Sequence, residues 1–171
     1  HKYRASYSIV ETANKIDEIN HPSIREVIKK FGGTNSIELS HIGDLPAKSG
    51  IGSSSSFTVG LILSLKALNG SFLGRTALAI EAIKLEQGAM KEKVGFQDQC
   101  AAAFGGLLII EASGDSIAPR SFVTSKDYLK YISSSLLMGF DGCERNSQKS
   151  ASIIAKKISS GKNDELMHEL H

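Results

Sequence analysis

Gly43-Asp44-Leu45-Pro46-Ala47-Lys48-Ser49-Gly50-Ile51-Gly52-Ser53-Ser54-Ser55-Ser56, running directly into the apolar segment Phe57 to Leu68, is the stretch on which the reading of this chain turns. Two glycines flanking Ile51 permit close backbone approach and positive φ, and the serines supply hydroxyls and a helix cap. The orphan amides at the start of the helix that follows point at whatever sits in the loop, and the natural occupant is a phosphate. A flexible glycine-serine linker shares this composition. It would not be preceded by a proline at a turn and followed at once by twelve mostly apolar residues.

The spacing is not that of a Walker loop, because no lysine follows the second glycine. It is not the dinucleotide fingerprint either, since the third glycine after Gly50 and Gly52 is missing.

Working outward, Lys2 to Glu11 alternates as a strand. Pro22 to Phe31 reads as a helix entered by proline and stopped at Gly32-Gly33. Ser36 to Ile42 reads as a strand that delivers the chain to the loop, with Ile37, Leu39 and His41 on one face. The helix from about Ser54 to Leu68 is apolar nearly all round, which predicts burial. Asn69-Gly70-Ser71 matches a glycosylation sequon and reads here as a helix C-terminal turn. A second helix runs from Arg75 to about Gln87, its core side carrying Leu78, Ala79, Ala82, Ile83 and Leu85. Leu107 to Glu111 and Ser116 to Val123 form a hairpin across Gly114-Asp115, and Ser134 to Phe140 is one more strand. Arg145 to Ile158 and Asp164 to Leu170 read as helices. This order gives an α+β domain of mixed sheet and packed helices.

Asp98 lies between two glutamines, just before the small residues Ala101 to Ala103. A carboxylate in such a place is either the cap of a short helix over Gln99 to Ala103 or a catalytic group. Both readings stand at this level.

Two motifs carry a resemblance to a known family. Pro46-Ala-Lys-Ser-Gly50-Ile51-Gly52-Ser53-Ser54 resembles the Pro-x-x-x-Gly-Leu-Gly-Ser-Ser motif of the GHMP kinases. This chain has Ile for Leu, and Ser55-Ser56 where Ala-Ala usually follows. Gly95-Phe96-Gln97-Asp98-Gln99-Cys100-Ala101-Ala102-Ala103-Phe104-Gly105-Gly106 is similar to the Gly-x-Gln-Asp-Gln-Tyr-Ala-Ala-Ala-Tyr-Gly-Gly segment of the D-glycero-D-manno-heptose 7-phosphate kinase branch, with Cys100 and Phe104 replacing tyrosines. His21-Pro22-Ser23-Ile24-Arg25-Glu26 resembles that branch's His-Pro-x-x-Arg-Glu segment.

The resemblance implies a ribosomal protein S5 domain 2-like N-terminal domain over residues 1–128, lacking its first strands, and the beginning of a ferredoxin-like C-terminal domain over residues 129–171. It implies an ATP-dependent kinase acting on a sugar or sugar phosphate. Pro46, Gly50, Ile51, Gly52, Ser53, Ser54 and Ser55 would hold the nucleotide, Ser54 and Glu86 would hold Mg²⁺, and Asp98 would face the acceptor hydroxyl. Glu86 stands twelve residues before Asp98, a separation like that in galactokinase-like members. Its plain reading is a solvent-facing helix residue, with Glu81 and Glu92 nearby. The acceptor implied is the anomeric hydroxyl of a heptose 7-phosphate. Other GHMP acceptors such as galactose, mevalonate or homoserine, and a catalytically silent binding protein on the same fold, are the alternatives.

Bulk properties bound the rest. With 171 residues, 41% apolar and 22% charged, the chain has ordinary globular composition. A net charge of +2, with no dense basic run, gives no nucleic-acid footprint. Lys29-Lys30 and Lys156-Lys157 read as solvated faces. Cys100 and Cys143 have neither disulfide-framework nor zinc spacing, and the five histidines have no ligand spacing. Without a long apolar run or a signal core, the expected home is a reducing cytoplasm with no membrane association. Serine hydrolysis is set aside because the serines do not form Gly-x-Ser-x-Gly and no triad completes them.

Overall fold

The computed structural model describes residues 1–33, 36–44, 49–92, 94–114 and 116–139. Strand β1 (Tyr3–Ser6) pairs antiparallel with β2 (Val10–Ala13) and parallel with β3 (Ile37–Ser40), giving the order β2-β1-β3. Tyr3 sits opposite Ala13 on one side and Ile37 on the other. Tyr3, Ala5, Ala13 and Ile37 are buried while Arg4, Thr12 and Glu38 face out, the two-residue period of a sheet covered on one side. Arg4 ion-pairs with Glu38 across the outer face.

The continuous strand expected from Lys2 to Glu11 is thus two strands. The chain reverses at Tyr7-Ser8-Ile9, where the Tyr7 amide donates to the Ile9 carbonyl (2.9 Å). Alternation is preserved on either side of that reversal, so periodicity alone did not separate the arms.

Helix α1 (Pro22–Phe31) has the expected bounds, with Pro22 at its first position. Its buried Ile24, Val27 and Ile28 form the i, i+3, i+4 stripe that covers the sheet. Helix α2 (Ser53–Leu68) contributes Val59, Leu61, Ile62 and Leu65 to the same core, and α3 (Arg75–Lys84) adds Leu78 and Ala82. Helix α2 is not buried on all sides as its composition predicts. Ser56, Gly60 and Ser64 are exposed, because one flank opens onto a groove beside β3. The helix ends in a Schellman turn: the Gly70 amide (φ +68°) donates to the Ala67 carbonyl and the Ser71 amide to the Lys66 carbonyl. The sequon is therefore used as a cap.

A single π turn over Leu85–Ala89 continues α3, and α4 (Gln97–Phe104) packs against both α2 and α3. The hairpin of β4 (Leu108–Ser113) and β5 (Ser116–Ser121) docks through Leu108, Ile110 and Ile117 onto Ala79, Ile83 and Cys100. Ser134 and Ser135, expected in a strand, belong instead to α5 (Lys126–Ser135), and 136–139 has no regular structure. The reason is local: the Ser125 side chain accepts from the Tyr128 amide (3.1 Å) and caps the helix. Phe140, the helices expected over 145–158 and 164–170, Cys143 and the second lysine pair lie outside the described residues. Lys29 and Lys30 are partnered, by Asp17 and Glu26 and by Glu81 respectively.

A polar hub fixes the entry of α1. Glu11, 8% exposed, accepts from Tyr7 Oη (2.6 Å), the Asn20 amide (2.7 Å), Asn20 Nδ2 (2.8 Å) and the His21 amide (3.3 Å). Burial alone would raise its carboxyl, but these bonds outweigh it and hold the group below the ordinary range. Burial, with the Glu11 contact adding to it, pushes the Tyr7 phenol up to about 12. His21 stacks edge-on with Tyr7 (4.9 Å) and lies against Phe57 (5.3 Å), which meets His41 at 4.7 Å. This aromatic chain links the hub to the first turns of α2.

Candidate active site

The serine-rich bend makes its turn through two left-handed glycines, Gly50 (φ +80°) and Gly52 (φ +72°), with Ile51 exposed between them. The first helical bond of α2 runs from the Ser56 amide to the Gly52 carbonyl (3.0 Å). The amides of Ser53, Ser54 and Ser55 therefore have no intrahelical acceptor, and they lie at the positive end of a 16-residue helix.

Asp98 comes to this bend. A Cβ placed on Gly52 would fall 3.0 Å from Asp98 Cγ and 3.2 Å from Oδ2. Glycine is needed there twice over, for its φ and for the room its missing side chain leaves to the carboxylate. Asp98 is the second residue of α4, whose cap position is Phe96 with no side-chain bond. The cap reading of Asp98 is thereby replaced: its side chain is exposed beside Gly52.

Glu86 arrives from a different element and is 0% exposed. Residues Leu85–Ala89 form the π turn, with the Met90 amide reaching back five residues to the Leu85 carbonyl (3.0 Å). Such turns shift a side chain off the helical register and recur at functional sites. Glu86 Oε2 accepts from Ser55 Oγ (2.9 Å) and from Gln99 Nε2, while Oε1 is buried with no partner. Ser49 Oγ and Gln99 Oε1 are likewise buried and unpartnered. Glu92 is half-buried nearby, and burial together with the Glu86 charge pushes its carboxyl above the ordinary range.

Of the sequence-predicted site residues, Gly52 and Asp98 are in direct apposition and Ser55 and Glu86 are hydrogen-bonded. Ser55, the residue after Ser54, is the serine that bonds Glu86. A helix turns about 100° per residue, so the inward hydroxyl is that of the buried Ser55 and Ser54 faces out. Glu86 is also not the solvent-facing helix residue that its type suggests. Pro46 lies outside the described residues. Cys100 is fully buried against Ala79 and Ile83, and burial pushes its thiol up, so it serves packing. Gln99 and the Glu11 hub were not singled out from sequence. Gln99 stood in the quoted motif only as a neighbour of Asp98, and the hub joins residues from a hairpin and a loop with no periodic signature.

Alongside the bend, a groove of about 790 Å³ runs between β3 and α2, lined by His41, Asp44, Ile51, Ser53, Ser56 and Phe57 near the loop and by Leu61 and Leu65 farther on. Among the described residues no helix is long and apolar enough to cross a membrane, and no cluster of three or more His, Cys, Asp or Glu is placed to hold a metal.

An α+β domain with an anion-receiving helix start, an adjacent exposed carboxylate and a second buried one has the makings of a phosphate-handling domain. The chain belongs to the GHMP kinase family: the model of the GHMP kinases N terminal domain matches residues 18–106, which span α1, the bend and α4. A solved D-glycero-D-manno-heptose 1-phosphate kinase from Bacteriodes thetaiotaomicron is similar in fold, with a TM-score of 0.63 and 20% identity over 72% of this chain. The chain spans 45% of the length of that structure. No curated protein matches it.

Proposed function

We propose that this chain forms the nucleotide-binding part of an ATP-dependent sugar kinase whose acceptor is the anomeric hydroxyl of D-glycero-D-manno-heptose 7-phosphate, giving the 1,7-bisphosphate. The observation that carries the reading is the apposition of Asp98 to Gly52, which sets a carboxylate against the anion-receiving bend. The heptose acceptor rests on the Gln97-Asp98-Gln99 resemblance. The fold neighbour's name, D-glycero-D-manno-heptose 1-phosphate kinase, agrees with a heptose phosphate as the substrate class.

In this reading the amides of Gly50 to Ser55 take the ATP phosphates, with Pro46 before them setting the turn, and the groove beside Phe57 has room for the rest of the nucleotide. The residues fit a divalent cation: Glu86 offers a buried oxygen without a partner, and the Ser49 and Ser54 hydroxyls are hard oxygen donors on the same bend. Bound there, Mg²⁺ would neutralise charge on the phosphate oxygens. Asp98 orients the acceptor hydroxyl and takes its proton as the oxygen bonds to the γ-phosphorus, while the bond to the ADP oxygen breaks. The same reading assigns residues 1–128 to the nucleotide-binding domain and 129–171 to the start of a second, in a cytoplasmic protein.

The test is ADP formation with Mg-ATP against heptose 7-phosphate, galactose, mevalonate and homoserine, followed by phosphorus NMR of the product. A new anomeric phosphate with the heptose supports the reading. Turnover with another acceptor corrects the substrate, and nucleotide binding without ADP release favours a silent binding protein.

A further inference from the structure

Two donors from two helices meet at one oxygen of Glu86: Ser55 Oγ from α2 and Gln99 Nε2 from α4 both bond to Oε2, and Oε1 receives nothing. Two directed bonds to one carboxylate oxygen fix the rotation of the group about its own axis. The amide of Gln99 is itself 1% exposed, and its Oε1 is buried without a partner. Burying an amide with half its capacity unused is costly, and an apolar side chain of similar shape would fill the site without that cost. What the amide supplies that methionine or leucine cannot is its N–H toward Glu86.

We infer that Gln99 and Ser55 are positioning residues that hold the Glu86 carboxylate by Oε2 and so leave Oε1 as the oxygen available to a divalent cation. Neither touches the reacting atoms. Because Gln99 follows Asp98 on α4, one amide also ties the helix that bears Asp98 to the turn that bears Glu86. The inference rests on the kinase reading above, since it needs a cation at Glu86.

The test is Mn²⁺ affinity in the presence of ATP, followed by electron paramagnetic resonance, for the wild type and for Glu86→Gln, Gln99→Met and Ser55→Ala, with thermal melts alongside. Loss of an outer partner of a metal ligand typically weakens metal binding by about 10- to 100-fold. Gln99→Met is expected to show a loss of that size, and Ser55→Ala a smaller one that Ser55→Thr restores. In both, the Mg²⁺ needed for half-maximal ADP formation should rise in step. Unchanged Mn²⁺ affinity in Ser55→Ala and in folded Gln99→Met, with affinity lost in Glu86→Gln, would overturn the inference and leave the kinase reading standing. A wild type that binds no Mn²⁺ with ATP would sink both. Should Gln99→Met not fold, Ser55→Ala and Ser55→Thr decide alone.

Discussion

Glu11 and Glu86 are both carboxylates withdrawn from water, at 8% and 0% exposed, and they differ in how their oxygens are used. At Glu11 each oxygen accepts two hydrogen bonds, all from residues 7 to 21, and the result is a closed knot at the entry of α1. At Glu86 two donors crowd one oxygen and the other has none. A buried carboxylate whose acceptor capacity is filled by its own chain has done its task on folding. One left half-filled carries a cost that a ligand can repay. The first region holds the fold, and the second leaves an acceptor open.

The comparison breaks most openly at the chemistry of the second region. Asp98→Asn is expected to lower turnover by ~10² to 10⁴ while leaving the melting temperature near that of the wild type, because Asp98 is exposed and caps no helix. Near-normal turnover would remove the base role. Glu11→Ala should do the reverse. It strands the Tyr7 hydroxyl and three N–H donors, at a cost of about 3 kcal/mol in chemical denaturation, with unchanged Mg-ATP affinity in the protein that remains folded. If Glu11→Ala weakened nucleotide binding at unchanged stability, the division between the two regions would be wrong.

Two glycines sharpen the same contrast. Gly52 and Gly70 have φ of +72° and +68°, yet a Cβ at Gly70 would meet nothing within 4 Å, whereas one at Gly52 would meet Asp98. Gly70→Ala should therefore cost about 1 to 2 kcal/mol of left-handed strain and spare activity. Gly52→Ala should cost at least as much and also displace Asp98, so turnover falls with stability.

The gentlest probe is pH. Glu11 titrates below its ordinary 4.5 in the folded chain, so its contribution is present above that pH and is lost as pH falls through the lower folded value. Glu92 titrates above 4.5, so what it contributes is present below that pH and lost as pH rises through its folded value. Denaturation across pH 3 to 7 should accordingly show a shallower acid limb in Glu11→Gln, with Asp17 and Glu81 supplying the remainder, and a weaker alkaline decline in Glu92→Gln. Identical profiles in both variants would leave the opposite signs without support.

The geometry of the candidate bend was more legible in the sequence than the pairing of the sheet. Gly50, Gly52 and Asp98 were visible because their chemistry is local: glycine where φ is positive, and an acid beside a run of alanines. Helix α1 was legible to the residue, from Pro22 at its start to Gly32 beyond its end. The hairpin at Tyr7 to Ile9 was not, because a strand that reverses keeps its two-residue period in both arms. Helix α5 was missed because Leu136-Leu137-Met138 looks like strand while the cap at Ser125 acts eleven residues earlier. That Ser55 is the serine bonded to Glu86, and that Gln99 meets the same oxygen, depends on how three helices face one another. No spacing within one segment encodes that.

The central claim is that the serine-rich bend and the start of α4 form one site for a nucleotide's phosphates. Titrating the ¹⁵N-labelled protein with Mg-ATP and following amide shifts tests it most directly. The largest changes should fall on Gly50 to Ser55 and on Asp98 and Gln99, with Asn20 and His21 in the hub nearly still. Changes centred on the hub, or none at the bend under saturating nucleotide, would contradict it.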